Sequence, residues 1–170
     1  MSNLVLIETD GAIATLTLNR PERHNALVPE LLAEMLAALD GLKARAELRA
    51  LILQANGRSF STGGDVRAFY KHRDDIARYS NEVVGGLNQV ILALIVFPTP
   101  VIAAVQGIVT GGSLGLVLAS DIALLAPIAS FTPFYTVVGY SPDGGWTAML
   151  PSIIGAKRAA EILLTNQTIS

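Results

Sequence analysis

Hydrophobic and polar positions change their spacing twice within the first forty residues. Residues 4–9 and 12–19 are rich in β-forming side chains, and Asp10-Gly11 between them is a two-residue turn signal, which predicts a β-hairpin. A polar loop follows. Pro29 then suits the first turn of a helix, and five apolar residues recur at helical spacing: Leu31, Leu32, Met35, Leu36 and Leu39.

Farther along, short apolar runs alternate with longer amphipathic stretches. Residues 49–54, 101–105 and 121–125 are predicted to be strands, of which the first two have the apolar run of a buried parallel strand. Helices are predicted at residues 113–120 and 156–164. A longer helix that ends before Pro98 is marked by Ile76, Tyr79, Val83, Leu87, Val90, Ile91 and Leu94. The pattern predicts an α/β fold of βα or ββα units, with residues 1–170 forming a single domain.

The high apolar content makes a membrane span the first alternative to test. Apolar residues make up 51% of the chain and charged residues 15%, which excludes a disordered protein. Residues 90–109 are interrupted by Pro98 and Pro100, and residues 114–131 contain Asp121, so neither run gives the ~20 apolar residues that a bilayer requires. The first four residues lack the basic region of a signal peptide. We therefore expect a cytoplasmic protein without a membrane partner.

Charge and cysteine content exclude further classes of function. Twelve Lys and Arg against 14 Asp and Glu give a net charge of −2, which argues against nucleic acid as a partner. The absence of cysteine excludes disulfides and thiolate chemistry and favours a reducing compartment. His24 and His72 lie in polar stretches and are expected at the solvated surface, so we expect neither a catalytic triad nor a metal site.

Two glycine-containing turns are candidates for chemistry, at residues 60–66 (FSTGGDV) and 110–115 (TGGSLG). Each joins a buried strand region to the start of a helix, where backbone N–H groups are free. Two such donors aimed at one oxygen form an oxyanion hole. Glycines also shape tight turns that bind nothing, and composition does not separate the two interpretations. Neither turn has the spacing of a phosphate loop or a dinucleotide fingerprint.

Four motifs follow one another along the whole chain: residues 18–27 (LNRPERHNAL), residues 60–65, residues 107–121 and residues 139–156. In this order they resemble the enoyl-CoA hydratase/isomerase (crotonase) superfamily, with the isomerases of aromatic, phenylacetate-type degradation as the closest match in motif. The resemblance implies a crotonase-like spiral of ββα units. It also implies enolate chemistry on an acyl-CoA thioester, in which coenzyme A is part of the substrate and no separate cofactor is needed.

The resemblance also implies a set of site residues. The backbone N–H groups of Gly64 and Gly112 would hold the thioester oxygen, and the helix dipole after Gly112 would add to the stabilisation. Arg23 would face a CoA phosphate or be an ordinary surface arginine, and Asp65 is expected mainly to cap the next helix. The mixed-charge segment 67–78 is expected to be a mobile, solvated loop-to-helix region near the acyl pocket. The further substrate and CoA contacts implied are Arg23, Ala26, Ser61, Gly63, Gly64, Asp65, Val66, Gly111 and Tyr135.

Departures from the family pattern bear on the reaction. Hydratases of the family use two glutamates, whose positions here are Gly115 and Tyr135. The isomerising and dehalogenating branches place a catalytic aspartate at the position of Asp143, although Pro-Asp-Gly is also a common turn sequence. We therefore expect double-bond isomerisation by a 1,3-proton shift with Asp143 as the acid–base. The alternatives are an enoyl-CoA hydratase and a non-catalytic acyl-CoA-binding protein.

The last residues, 162–170, match a stretch that family members follow with further helices. Those helices usually complete the CoA site and mediate trimer contacts. The C-terminal helical part is therefore expected to be missing from this chain, and a homotrimer or a dimer of trimers is expected where it is present.

Overall fold

A computed structural model describes residues 3–170, and Met1 and Ser2, part of the stretch examined for a signal peptide, lie outside it. The larger sheet has the strand order β1-β2-β3-β4-β6, in which β1 and β2 are antiparallel and the other neighbours are parallel. Its strands are β1 (Val5–Asp10), β2 (Ile13–Leu18), β3 (Ala50–Ala55), β4 (Val101–Val105) and β6 (Ile122–Leu125). A second, parallel sheet pairs β5 (Ile108–Thr110) with β7 (Ser130–Thr132).

Within residues 3–170, seven α-helices connect or follow these strands: α1 (Pro29–Lys43), α2 (Val66–Lys71), α3 (Ile76–Ile95), α4 (Leu114–Leu118), α5 (Tyr135–Val138), α6 (Leu150–Ile154) and α7 (Ala156–Thr165). Short 3₁₀ turns lie at Pro21–Arg23, Arg73–Asp75 and Gly111–Ser113. Two strands followed by a helix recur as β1-β2-α1, β4-β5-α4 and β6-β7-α5. In the last two units the first strand joins the larger sheet and the second joins the smaller one. The predicted α/β fold of ββα units is confirmed.

The core lies between the larger sheet and the two long helices. Leu16, Leu51 and Leu53 on the sheet are fully buried, and Met35 on α1 and Val90 on α3 are buried with them. The two helices pack closely where Gly86 meets Leu32, because a Cβ at Gly86 would lie 3.3 Å from the leucine side chain. The apolar periodicity of α1 and α3 thus predicts the buried faces correctly.

Some local predictions were wrong. The hairpin turn is Gly11-Ala12 and not Asp10-Gly11, since Asp10 pairs with Ile13 at the end of the ladder and Gly11 adopts φ +55°. The charged segment 67–78, expected to be a solvated loop-to-helix region, is mostly exposed but is helical through most of its length, in α2, a 3₁₀ turn and the start of α3. Among residues 3–170, no helix is both long and apolar enough to cross a bilayer.

Candidate active site

The two glycine-containing turns lie side by side. Ser61 N–H donates to Ile108 O at 3.2 Å, and Thr110 N–H donates to Ser61 O at 3.1 Å. The Ser113 hydroxyl ties the turns together, since it lies 2.9 Å from Ser61 O and 2.7 Å from Thr110 O. Gly63 has φ +72°, and a Cβ there would lie 2.7 Å from Thr110 O. This close backbone approach requires glycine.

The backbone amides of Gly64 and Gly112 are among those left free in this pair of turns. Leu27 N–H donates to Gly63 O, and Asp65 N–H donates to Leu27 O. Successive peptide groups of an extended chain point to opposite sides, so the Gly64 N–H faces away from Leu27. Gly112 is the second residue of the 3₁₀ turn Gly111–Ser113, where N–H groups have no partner within the turn. Within residues 3–170 neither amide donates to a protein acceptor.

The helix that follows Gly112 is shorter than its sequence suggests. A 3₁₀ turn, Gly111–Ser113, leads into α4, which has five residues, Leu114–Leu118. Few peptide dipoles are therefore aligned behind Gly112, because a macrodipole is the sum of many aligned units. The expected dipole contribution is therefore small, and any anion at this turn would be bound by the individual N–H groups.

Asp143 lies directly against the second turn. A Cβ built at Gly112 would lie 2.7 Å from Asp143 Oδ1 and 2.6 Å from the Leu87 side chain. The next residue, Gly144, has φ +53° and lies so close to Gly112 that its own Cβ would be 2.3 Å from Gly112 O. Glycine at both positions lets the two backbones touch, and this contact places the Asp143 carboxyl group beside the Cα of Gly112.

The carboxyl group of Asp143 is held by Tyr135. The Tyr135 hydroxyl donates to Asp143 Oδ1 at 2.5 Å. Burial raises the pKa of Asp143 above its usual range, and the hydrogen bond from Tyr135 opposes that shift. Burial and the neighbouring carboxyl group also raise the pKa of Tyr135, so its phenol stays protonated and acts as a donor. A half-buried carboxyl group with a raised pKa is a candidate general base.

Gly115, which the resemblance assigns to the first hydratase glutamate, has no room for a side chain. A Cβ at Gly115 would lie 2.4 Å from Gly144 O and 2.5 Å from Ile91 Cδ1. Contacts under 3 Å with a backbone atom cannot be relieved by turning a side chain. Tyr135, which the resemblance assigns to the second glutamate, donates from its hydroxyl to Asp143. The loop that carries Asp143 therefore fills the space beside Gly115.

Asp65 caps α2, as predicted. Its Oδ1 accepts hydrogen bonds from the backbone N–H groups of Arg67 and Ala68. It also pairs with Arg20 and Arg23, each at 2.9 Å. Burial alone would raise the pKa of Asp65, but the hydrogen bonds from the two arginines and from Ala68 N–H lower it overall. Asp65 thus fastens the first polar loop to the turn that carries Gly64.

A shallow cavity of about 370 Å³ lies along this first turn. Five of the predicted CoA contacts line it: Arg23, Ala26, Gly64, Asp65 and Val66. Ser61 lies behind its wall, since Ser61 is fully buried and its hydroxyl donates to Asn25 O. Gly63 and Gly111 form the contact between the two turns, and Tyr135 lies at Asp143. The site residues named from the sequence therefore divide between the cavity, its supporting turns and the Asp143 carboxyl.

Two contributors to the site were not predicted. Trp146 is fully buried, and its Nε1–H donates to Gly111 O at 2.7 Å, which ties the Asp143 loop to the second turn. Trp146 is the one tryptophan of the sequence and follows Asp143 by three residues. Because a buried indole N–H needs an acceptor, this tryptophan was the sequence signal for a hydrogen bond near the Asp143 loop. Phe69 covers the first turn, with its ring 2.8 Å from a Cβ built at Gly64.

The two histidines also differ from the prediction, because both are half-buried and have partners. His24 contacts the Ser59 hydroxyl and the Arg58 guanidinium, each at 3.1 Å. The His72 ring stacks on Tyr79 with centroids 4.3 Å apart. Neither histidine contacts Asp143.

Comparison with known proteins agrees with the motif order. The profile of the enoyl-CoA hydratase/isomerase family matches residues 8–170. The chain is 30% identical to trans-2-decenoyl-[acyl-carrier-protein] isomerase of Streptococcus mutans, over 98% of this chain and 64% of that protein. It is 31% identical to 1,2-epoxyphenylacetyl-CoA isomerase of Escherichia coli, over 100% of this chain and 65% of that protein.

A solved structure of an enoyl-CoA hydratase from Polaromonas sp. JS666 superposes with a TM-score of 0.92 at 32% identity, over 98% of this chain and 65% of the other. The chain thus spans slightly less than two thirds of the length of these three proteins. The predicted spiral of ββα units is the fold they share. The chain belongs to the enoyl-CoA hydratase/isomerase family.

Proposed function

We propose that this protein moves the double bond of an enoyl-CoA thioester by a 1,3-proton shift, with Asp143 as the acid–base. The observation that carries the proposal is the contact of the Asp143 carboxyl with Gly112, whose amide N–H is free. A base and an oxyanion donor at one place are what enolate formation beside a thioester requires. The relatives named as isomerases support the same class of reaction.

The proposed reaction balances with a single carboxylate. Ionised Asp143 takes a proton from the carbon beside the thioester, and the electron pair of the broken C–H bond moves onto the thioester oxygen. The N–H groups of Gly64 and Gly112 stabilise that oxyanion. The protonated Asp143 then returns the proton two carbons along, and the double bond re-forms in its new position. The raised pKa of Asp143 favours the first step, since it makes the carboxylate a stronger base.

Hydration of a 2-enoyl thioester fits this site less well. It needs one group to activate water and a proton for the α-carbon. Gly115 supplies neither and has no space for a glutamate, and the raised pKa of Tyr135 keeps that phenol neutral. Isomerisation needs one acid–base and donors for the oxyanion, for which Asp143 and the amides of Gly64 and Gly112 are available.

We further propose that the CoA moiety lies along the cavity at the first turn, with Arg23 near a phosphate. The Arg23 side chain is 30% exposed while it pairs with Asp65, so part of the guanidinium faces solvent. A guanidinium that pairs with a carboxylate on one edge has further N–H donors for a second anion.

The test of the reaction is Asp143→Asn in the protein as it occurs in the cell. The variant keeps the shape of the side chain and removes its basicity, so conversion of 3-enoyl-CoA to 2-enoyl-CoA should fall by about 100-fold or more. Acyl-CoA binding, measured by calorimetry, should remain. Asp74→Asn is the matched control, because the Asp74 side chain is 90% exposed on the 3₁₀ turn Arg73–Asp75.

Two further assays separate the alternatives. Exchange of α-protons of a bound acyl-CoA with D₂O, followed by NMR, should occur in the native protein and be lost in Asp143→Asn. A native protein that binds acyl-CoA without any exchange would be a non-catalytic binder. Efficient formation of 3-hydroxyacyl-CoA from 2-enoyl-CoA would identify a hydratase, and native isomerase rates in Asp143→Asn would make Asp143 a turn residue.

A further inference from the structure

We infer that Tyr135 is a positioning residue, which fixes Oδ1 of Asp143 and leaves Oδ2 as the oxygen that transfers the proton. The inference deepens the proposed function and rests on it, because it assigns separate tasks to the two oxygens of the proposed acid–base.

The two carboxylate oxygens have different surroundings. Oδ1 accepts the hydrogen bond of the Tyr135 hydroxyl at 2.5 Å and lies against the Cα of Gly112. The same hydroxyl lies 3.3 Å from the main-chain carbonyl oxygen of Asp143, so it contacts both the backbone and the side chain of that residue. Within residues 3–170 no side chain donates a hydrogen bond to Oδ2, whereas Oδ1 uses one lone pair for Tyr135. Oδ2 is therefore the less occupied oxygen and the better placed to accept a substrate proton.

The tyrosine itself is firmly held. Tyr135 is 6% exposed and packs edge-on against Trp146, with ring centroids 6.3 Å apart. Trp146 is anchored in turn to Gly111 O. On the other side of Tyr135, the Phe134 N–H donates to Asn166 Oδ1 at 2.7 Å, which fixes the start of α5. The phenol is thus a preorganised donor, and holding a carboxylate in one orientation is what a proton transfer needs.

The hydrogen bond also affects the charge state of Asp143. Within the described residues, Tyr135 is the one titratable side chain that acts on the pKa of Asp143, and no charged group adds to it. Burial favours the neutral acid, whereas a donated hydrogen bond favours the carboxylate. Tyr135 therefore opposes burial and helps to keep Asp143 ionised, and hence basic, at neutral pH.

Tyr135→Phe removes the donor and keeps the ring and its packing. The pKa of Asp143 should rise further, because a charge-assisted hydrogen bond to the ionised form is lost. At neutral pH kcat should fall by about tenfold or more with KM nearly unchanged. The acidic limb of the kcat profile should move to higher pH, so that part of the rate returns in alkali. Tyr70→Phe is the matched control, since Tyr70 is 71% exposed on α2.

The pKa of Asp143 can also be measured directly, without an activity assay. In ¹³C-carboxyl NMR, the Asp143 signal is identified by its loss in Asp143→Asn and then titrated in native protein and in Tyr135→Phe. An unchanged Asp143 titration would overturn the inference, whatever the activity. Ring-fluorinated tyrosine at position 135 is a stronger donor and should shift the pKa of Asp143 in the opposite direction. Full isomerase activity in Asp143→Asn would instead refute the proposed function, and with it the catalytic task of Tyr135.

Discussion

Asp65 combines a helix cap and two ion pairs, and two substitutions separate their energies. Asp65→Asn keeps an oxygen that caps α2 but loses the charge that pairs with Arg20 and Arg23. We expect a loss of about 2 kcal/mol in the free energy of unfolding, roughly 1 kcal/mol for each half-buried pair. Asp65→Ala also loses the cap, which is worth about 1 kcal/mol more. For a chain of this size these losses lower Tm by about 4–8 °C and 6–12 °C respectively.

The assay is urea unfolding at equilibrium, followed by circular dichroism at pH 7 and at lower pH. The folded protein lowers the pKa of Asp65, so the stabilisation is fully present above the unfolded pKa of about 3.9 and is lost as pH falls through the folded value. The difference between native protein and Asp65→Asn should therefore be constant near neutrality and shrink below about pH 4. A difference that persists unchanged in acid, or equal losses in both variants, would refute this account of the energies.

Two predictions concern the glycines of the site. Gly115→Glu should give no hydratase activity and should lower Tm, because Gly144 O and Ile91 occupy the space of the new side chain. A folded variant that hydrates 2-enoyl-CoA would contradict this prediction. Gly112→Pro removes the proposed oxyanion donor, but the proline ring also meets Asp143 and Leu87. Gly112→Ala introduces a side chain at the same place and keeps the N–H, so it is the matched control. Isomerisation should fall by about 100-fold more in the proline variant than in the alanine variant, and equal losses would mean that the amide contributes nothing.

The sequence was most informative where a hydrophobic period runs for many residues. The long periods of α1 and α3 gave helices whose apolar faces are buried, and the apolar runs at β3 and β4 gave parallel strands. Short elements carry too few residues for a period to be visible. The three-residue strands β5 and β7 and the four-residue helix α5 were missed for that reason.

The sequence predicts the candidate site as a set of residues but not as an arrangement. Motif order named Gly64, Gly112 and Asp143, and the glycine turns alone suggested free amides. That Gly144 touches both Gly112 and Gly115 depends on distances between segments about thirty residues apart, which no local pattern carries. The hydrogen bond from Tyr135 to Asp143 likewise depends on the folded structure and is not predicted by any local sequence pattern. Cytoplasmic location and trimer formation stay predictions.

The contact of Gly144 with Gly112 and Gly115 has a consequence for how such sites change during evolution. Glutamate cannot enter at position 115 until the Gly144 backbone has withdrawn, and withdrawal removes the support that holds Asp143 against Gly112. The effects of changes at these positions are therefore strongly non-additive, as expected for residues in direct contact. Consider a lineage that changed by single substitutions between a site with one aspartate at position 143 and a site with a glutamate at position 115. It would pass through an intermediate in which neither carboxyl group is correctly held. Replacement of the whole loop at once, by insertion, deletion or recombination, avoids that intermediate.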